Sequence, residues 1–130
     1  MKYPLVTIKC GEDEFAGMWV SIAYRTKDGE LHALHIVAGE EKSSQPVGRS
    51  LVPIYFERDD QSLSCYEAVE KILVGNNFVT LTLNKNGRVS LELPKAVEII
   101  GEKTVRGFKK ARTIFSAMQK RHCGEVIHFV

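Results

Sequence analysis

Ser21 and His35 are the one nucleophile and base that the sequence places side by side. A three-residue loop at residues 27–29 sets Ser21 opposite His35 across a β-hairpin, where cross-strand side chains come within hydrogen-bonding reach. No orienting carboxylate and no oxyanion-binding turn accompany the pair in the sequence. The pattern therefore favours a structural pair in a sheet, and catalysis remains the alternative.

Cys65 is the second candidate nucleophile. Ser64 and Glu67 have the spacing of a capping box, so we expect a helix that begins near residue 64 and carries Cys65 in its first turn, where the helix dipole favours a thiolate. The residue also shares a helical stripe with Val69 and Ile72, and free cysteines are usually buried as small apolar residues. The apolar role is the stronger interpretation.

The histidines and cysteines do not form a convincing metal site. His32 and His35 lie three residues apart on a predicted strand, so they point to opposite faces. His122, Cys123 and His128 lack a second close ligand pair. Loops that bind phosphate at the start of a helix are also missing. We therefore expect no metal and no cofactor, and three free thiols in a reducing, cytoplasmic compartment.

Positive charge is concentrated near the C-terminal end of the sequence. Residues 103–122 hold seven Lys and Arg and no acid, whereas residues 1–102 hold 11 Lys and Arg against 15 Asp and Glu. The apolar spacing predicts a helix over residues 105–122 with one buried stripe and a basic outer face. We call "the basic face" the set Arg106, Lys109, Lys110, Lys120 and Arg121. An acidic protein or a nucleic acid could bind there, and solubility alone is an equal explanation.

Two hairpins and several strands must position these residues. The loop at residues 27–29 pairs Ile22 with Leu34 and Val20 with Ile36. A second three-residue loop is expected at 85–87, with Gly87 at positive φ. It would make one apolar face from three cross-strand pairs: Leu83 with Val89, Leu81 with Leu91, and Val79 with Leu93. Further strands are expected at 5–9, 51–57, 96–100 and 126–130, with an exposed loop at 39–50.

These elements predict one α+β domain over residues 1–130. We expect a mostly antiparallel twisted sheet of about six strands with two helices packed on one face. The composition, 44% hydrophobic and 26% charged, is that of an ordinary globular protein, and no apolar run is long enough to cross a membrane. The aromatic residues Trp19, Tyr55 and Phe56 fall on predicted strands and are assigned to the core.

The absence of motifs and the polarised charge favour a non-enzymatic binding module, such as an inhibitor, immunity-type or accessory protein, that holds a macromolecular partner through a charged surface. One alternative is a small enzyme or small-molecule binder with a site near His35, Ser21 and Cys65. Another is nucleic-acid binding along the basic C-terminal helix. The sequence does not decide among these three functions.

Overall fold

The computed structural model describes residues 1–13, 17–39, 53–102, 105–121 and 126–130. Within these ranges, nine strands form a single mixed sheet in the order β5-β4-β3-β2-β1-β8-β7-β6-β9. The strands are β1 (Lys2–Asp13), β2 (Gly17–Arg25), β3 (Leu31–Ala38), β4 (Ile54–Arg58), β5 (Ser64–Tyr66), β6 (Val69–Val74), β7 (Phe78–Leu83), β8 (Ala96–Ile100) and β9 (Ile127–Phe129). The helices are α1 (Lys85–Leu91) and α2 (Phe108–Arg121).

The sheet has two parts that share the long strand β1. Strands β1 to β5 follow one another as an antiparallel meander. In the second part β7 is antiparallel to both β6 and β8, but β8 runs parallel to β1 and β9 runs parallel to β6. The predicted six-stranded antiparallel sheet with two helices on one face is therefore wrong. Helix α1 lies between β7 and its antiparallel neighbour β8, whereas α2 lies between β8 and β9, the strand that ends the sheet beside β6.

The first hairpin has the predicted register. Ile22 pairs with Leu34 and Val20 with Ile36, as the alternation of apolar residues required. Gly29 has a φ of +83°, which a glycine adopts without steric cost, and it closes the turn after residues 27 and 28. The turn chemistry and the hydrophobic alternation agree here, so the register is fixed locally.

The predicted helix that begins near residue 64 is wrong, because residues 64–66 and 69–74 form β5 and β6. Glu67 takes a left-handed conformation, with φ +53°, and turns the chain between the two strands. A register shift between Val69 and Lys71 leaves Val69 and Ile72 on the same buried side. This β-bulge turns an alternating pattern into a spacing of three, which resembles the repeat of a helix.

The predicted second hairpin is also wrong, because residues 85–91 form α1. Asn84 is its N-cap, and its Oδ1 accepts a 2.8 Å hydrogen bond from the backbone N–H of Gly87. Gly87 is needed for close packing, since a Cβ there would collide with the carbonyl of Ala68. Leu81 consequently pairs with Ile72 and Val97 instead of Leu91. Leu91 lies on α1, and its side chain is buried in the core.

Helix α2 lies within the predicted range 105–122 but begins three residues later than predicted, so Arg106 precedes it. Its buried stripe falls on the predicted side. Phe108, Ala111, Phe115 and Met118 recur on one side and are buried in the core. The helix packs on β1, β2 and β9, whereas α1 packs on β4, β5 and β7. The remaining strand predictions fall at β1, β4, β8 and β9. The predicted loop at 39–50 lies, apart from Gly39, outside the described residues. None of the helices in the described ranges has the length and apolar character of a bilayer span.

Candidate functional site

The basic face lies on the side of α2 away from the core. Arg106, Lys109, Lys110 and Lys120 are exposed, and Arg121 is partly exposed. Arg121 lies 3.8 Å from the carboxylate of Glu12, and within the described ranges it is the one residue of the set with an ion-pair partner. The other four cations have no ion-pair partner among the residues that the structure describes.

A shallow groove of about 550 Å³ runs along one edge of the basic face. Lys109, Lys120 and Arg112 line it together with the hydroxyl side chains of Thr113 and Ser116, and Phe129 of β9 lies beside them. Arg112 was missed in the predicted set, although its spacing from Lys109 could have revealed it. Its guanidinium carbon lies 5.5 Å from the centre of the Phe129 ring, in a cation–π contact.

Helix α2 is held in place by core packing and by hydrogen bonds to two strands, β9 and β6. Phe115 is fully buried, and Gln119 Nε2 donates a 2.6 Å hydrogen bond to the carbonyl of Ile127 in β9. Arg112 donates a longer bond of 3.4 Å to the carbonyl of Val74 in β6. The backbone of α2 is therefore fixed relative to the sheet, so the charged side chains of the basic face that lie on α2 extend from a rigid helix.

Ser21 and His35 are neighbours on β2 and β3, as predicted. Ser21 Oγ lies 2.7 Å from His35 Nδ1. Glu57 of β4 is the cross-strand partner of His35 in the pairing of β3 with β4. This carboxylate was not predicted from the sequence. Glu57 Oε1 accepts a 2.8 Å hydrogen bond from the hydroxyl of Tyr55. Serine, histidine and glutamate thus form a cross-strand row on the face of the sheet opposite the core.

Two aromatic residues also lie on this open face. Phe56 is buried as predicted, but Trp19 and Tyr55 are only partly buried and line a shallow cavity of about 320 Å³. Their assignment to the core is wrong because they alternate with the buried residues of β2 and β4. We call this cavity "the notch"; its six lining residues are Trp19, Ser21, His35, Val37, Tyr55 and Glu57.

The hydroxyl of Tyr55 stays protonated near neutral pH. A hydrogen bond with Ser64 lowers the pKa of Tyr55, but burial and the bond to the Glu57 carboxylate outweigh it and hold the pKa above its usual value. The hydroxyl therefore acts as a donor to Glu57. This bond orients the carboxylate on the surface of the notch.

Cys65 does not have the environment of a nucleophile. It lies on β5 rather than at the start of a helix, and burial raises its pKa despite an opposing hydrogen bond with Ser90. Burial also raises the pKa of Cys10, and the nearby charge of Lys110 opposes that rise. Both residues are free thiols, and Cys123 lies outside the described residues.

A separate polar cluster lies where β3 begins and β4 ends. His32 Nδ1 lies 2.7 Å from Asp59 Oδ2, and His32 Nε2 lies 3.3 Å from a Glu30 oxygen. Asp59 also accepts a 2.9 Å hydrogen bond from the backbone N–H of Ala33. Burial raises the pKa of Asp59, but the bonds from Ala33 and His32 outweigh it, so the pKa lies below its usual value. These contacts link the start of β3 to the end of β4.

Metal ligands do not converge anywhere in the part of the chain that the structure describes. No group of three His, Cys, Asp or Glu side chains there is arranged to hold an ion. His128 is exposed on β9, while His122 and Cys123 lie outside the described residues. Comparison with protein-family models, curated proteins and solved structures gave no match.

Proposed function

We propose that this chain is a binding module that holds an acidic protein through the basic face of α2. The observation that carries the proposal is the set of four exposed cations, Arg106, Lys109, Lys110 and Lys120, with no ion-pair partner among the described residues. Charges arranged in this way raise the rate of encounter with an acidic partner and orient it. The proposal therefore rests on one positively charged surface, formed by α2 and the residue Arg106 just before it.

The neighbouring groove supports the same proposal. Lys109, Arg112 and Lys120 line it with two hydroxyl side chains, and no carboxylate is found among the described residues that line it. Guanidinium and ammonium groups bind carboxylates by charge-assisted hydrogen bonds, and arginine can do so through two parallel bonds. Acidic side chains of a partner would find donors both on the outer face of α2 and in the groove.

An acidic protein fits this surface better than single-stranded nucleic acid does. Binding of single strands usually relies on several aromatic side chains that stack on the bases. In the part of the chain that the structure describes, the groove has one aromatic residue, Phe129, and the guanidinium of Arg112 already lies over it. Nucleic-acid binding is thus the weaker alternative for the basic face.

The test is a double charge reversal, Lys109→Glu with Lys110→Glu. Binding of poly-glutamate, as the acidic probe, is measured by fluorescence anisotropy at low and high salt. We expect wild-type protein to bind at low salt, the affinity to fall by about tenfold or more at high salt, and the variant to lose binding. A 20-nucleotide single strand and a DNA duplex of the same length serve as parallel probes.

The matched control is Lys2→Glu with Lys71→Glu, which changes the net charge equally at exposed positions on the sheet. We expect this control to retain most of the poly-glutamate binding. Equal loss in both variants would show that net charge, and not the basic face, governs binding. Tighter binding of either nucleic acid than of poly-glutamate would contradict the proposal in favour of nucleic acid.

Catalysis at Ser21 and His35 is a second candidate function, favoured by their 2.7 Å contact opposite Glu57. The surroundings argue against it. In β2, β3 and β4 the backbone N–H groups are engaged in the ladders with neighbouring strands, so the row lacks the free N–H pair that stabilises an oxyanion. The row is therefore better suited to contact a ligand than to cleave one.

A further inference from the structure

The notch has apolar walls on two strands and a small floor between them. Trp19 of β2 pairs with Val37 of β3, and Val37 pairs with Tyr55 of β4. Neighbouring strands lie about 4.8 Å apart, so the two aromatic residues start about 9.6 Å apart across the shorter valine. This separation leaves space for one compact group between two rings.

Each wall of the notch is supported from behind. The Trp19 ring lies against Gly11 of β1, where an added Cβ would come within 2.9 Å of it. The ring centre of Tyr55 lies 5.1 Å from that of Tyr66 on β5. The Tyr55 hydroxyl is bonded to Glu57 at 2.8 Å. The rings are thus held in position before any ligand arrives, which lowers the entropic cost of binding.

The charge of the notch is opposite to that of α2. Glu57 is the one carboxylate among the six lining residues, and none of the six is a lysine or an arginine. His35 Nδ1 is already bonded to Ser21. Lys9 belongs to the same cross-strand row, but it lies beyond Ser21 on β1. Aromatic faces beside a carboxylate attract a cation, because the rings present negative charge above their planes.

We propose that the notch binds a methylated ammonium group, with Trp19 and Tyr55 against its methyl groups and Glu57 as the counter-ion. A primary ammonium needs three hydrogen-bond acceptors, whereas the floor is Val37 and the hydroxyl of Ser21 is engaged with His35. Methyl groups remove that requirement and gain contact with the rings. Two sources carry such a cation, a free small molecule of the choline type and a methylated lysine side chain. This inference is independent of the basic face.

Trp19 reports on the notch directly, because it is the only tryptophan in the sequence. Its fluorescence is followed while tetramethylammonium chloride is added, with sodium chloride at equal ionic strength as the blank. We expect a saturable change with the organic cation alone. Choline and a short trimethyl-lysine peptide are titrated next, and the tighter of the two identifies the source of the cation.

The decisive comparison is between choline and 3,3-dimethylbutan-1-ol, which has the same shape without the charge. Cation–π contacts contribute about 0.5–2 kcal/mol, so we expect the neutral compound to bind roughly two- to thirtyfold more weakly. Equal binding of the two compounds would overturn the proposal, because it would show that the notch selects apolar groups regardless of charge. A lack of saturable change with all three cations would overturn it as well.

Variants locate the site. Glu57→Gln keeps the shape and removes the counter-ion, and Tyr55→Ala removes one wall; we expect both to weaken choline binding. Because Tyr55→Ala could perturb the sheet, Glu57→Gln with an unchanged unfolding midpoint is the deciding variant. Unaltered affinity in Glu57→Gln would contradict the assignment. The Lys109→Glu, Lys110→Glu variant should bind choline like the wild type, which separates this result from the proposed function.

Discussion

The basic face of α2 and the notch on β2 to β4 show two ways of making a surface that recognises charge. The basic face consists of long, flexible side chains on α2 and, for Arg106, just before it. Among the described residues only Arg121 of this set has an ion-pair partner. The notch consists of two supported rings and one carboxylate that is already hydrogen-bonded. Screening by salt should therefore weaken binding at the basic face strongly. At the notch, binding should instead be weakened by small shifts in the positions of the two rings and the carboxylate.

The largest expected effect comes from breaking the core that both surfaces share. Phe115 is fully buried, and its helix packs on β1 and β2. Phe115→Ala should lower the free energy of unfolding by about 3–5 kcal/mol. In urea, the circular dichroism signal of the helices and the fluorescence of Trp19 should change with the same midpoint. If Trp19 kept its wild-type midpoint while the helix unfolded, the two surfaces would rest on separate cores.

The control for this substitution is Val89→Ala. Val89 lies on α1 and is 71% exposed, so its truncation should change the unfolding free energy by less than about 0.5 kcal/mol. The contrast between the two variants measures how much of the stability depends on packing beneath α2.

A smaller effect should come from the cluster around Asp59, which belongs to neither surface. Because the pKa of Asp59 is lowered in the folded protein, its ionised form stabilises the fold at pH values above the unfolded pKa. That contribution is lost as the pH falls through the folded pKa. Asp59→Asn should therefore be less stable than the wild type at pH 6 and nearly equal to it in strong acid. The side chain is 35% exposed, so the difference should stay below about 1 kcal/mol.

Urea unfolding at pH 6 and pH 2.5 measures this difference. Asp28→Asn, at an exposed position of the first hairpin turn, serves as the control for the loss of one acidic group. A deficit for Asp59→Asn that is the same at both pH values would contradict a role for its charge. Poly-glutamate and choline binding at neutral pH should be unchanged in Asp59→Asn, since neither surface includes this cluster.

The smallest expected effect is a change in thiol reactivity. Lys110 opposes the rise that burial causes in the pKa of Cys10. Lys110→Met should raise this pKa further and slow alkylation of Cys10 by iodoacetamide severalfold at most, because the thiolate is the reactive form. Cys65, on β5, is the internal control. Peptide mass spectrometry measures both rates, and an equal change at both thiols would exclude a local effect of Lys110.

Some of this architecture could be predicted from sequence, and the reasons are local. In the first hairpin the apolar alternation and the turn glycine indicate the same register, and this register predicts the contact of Ser21 with His35. The buried stripe of α2 was equally clear, with Phe108 and Phe115 on one side. The basic face could be placed for the same reason, although Arg112 was left out of it.

The errors arose where a local pattern has two structural solutions. A bulge in β6 gives Val69 and Ile72 the spacing of a helix, and Asn84 followed by Gly87 serves a helix start instead of a hairpin. The parallel pairing of β8 with β1 depends on residues far apart in the chain, which no local pattern encodes. Glu57 reaches His35 only through the pairing of β3 with β4, so the sequence alone did not reveal the notch.

The hydrogen bond from Gln119 to Ile127 also bears on self-association. β9 ends the sheet, and an end strand offers free backbone groups to which a strand of another molecule can add. Val126 and Val130 use backbone groups to bond β6, while the carbonyl of Ile127 is taken by a side chain of α2. The helix thus occupies part of the exposed end of the sheet. One backbone acceptor of β9 is therefore no longer available to pair with the strand of another molecule.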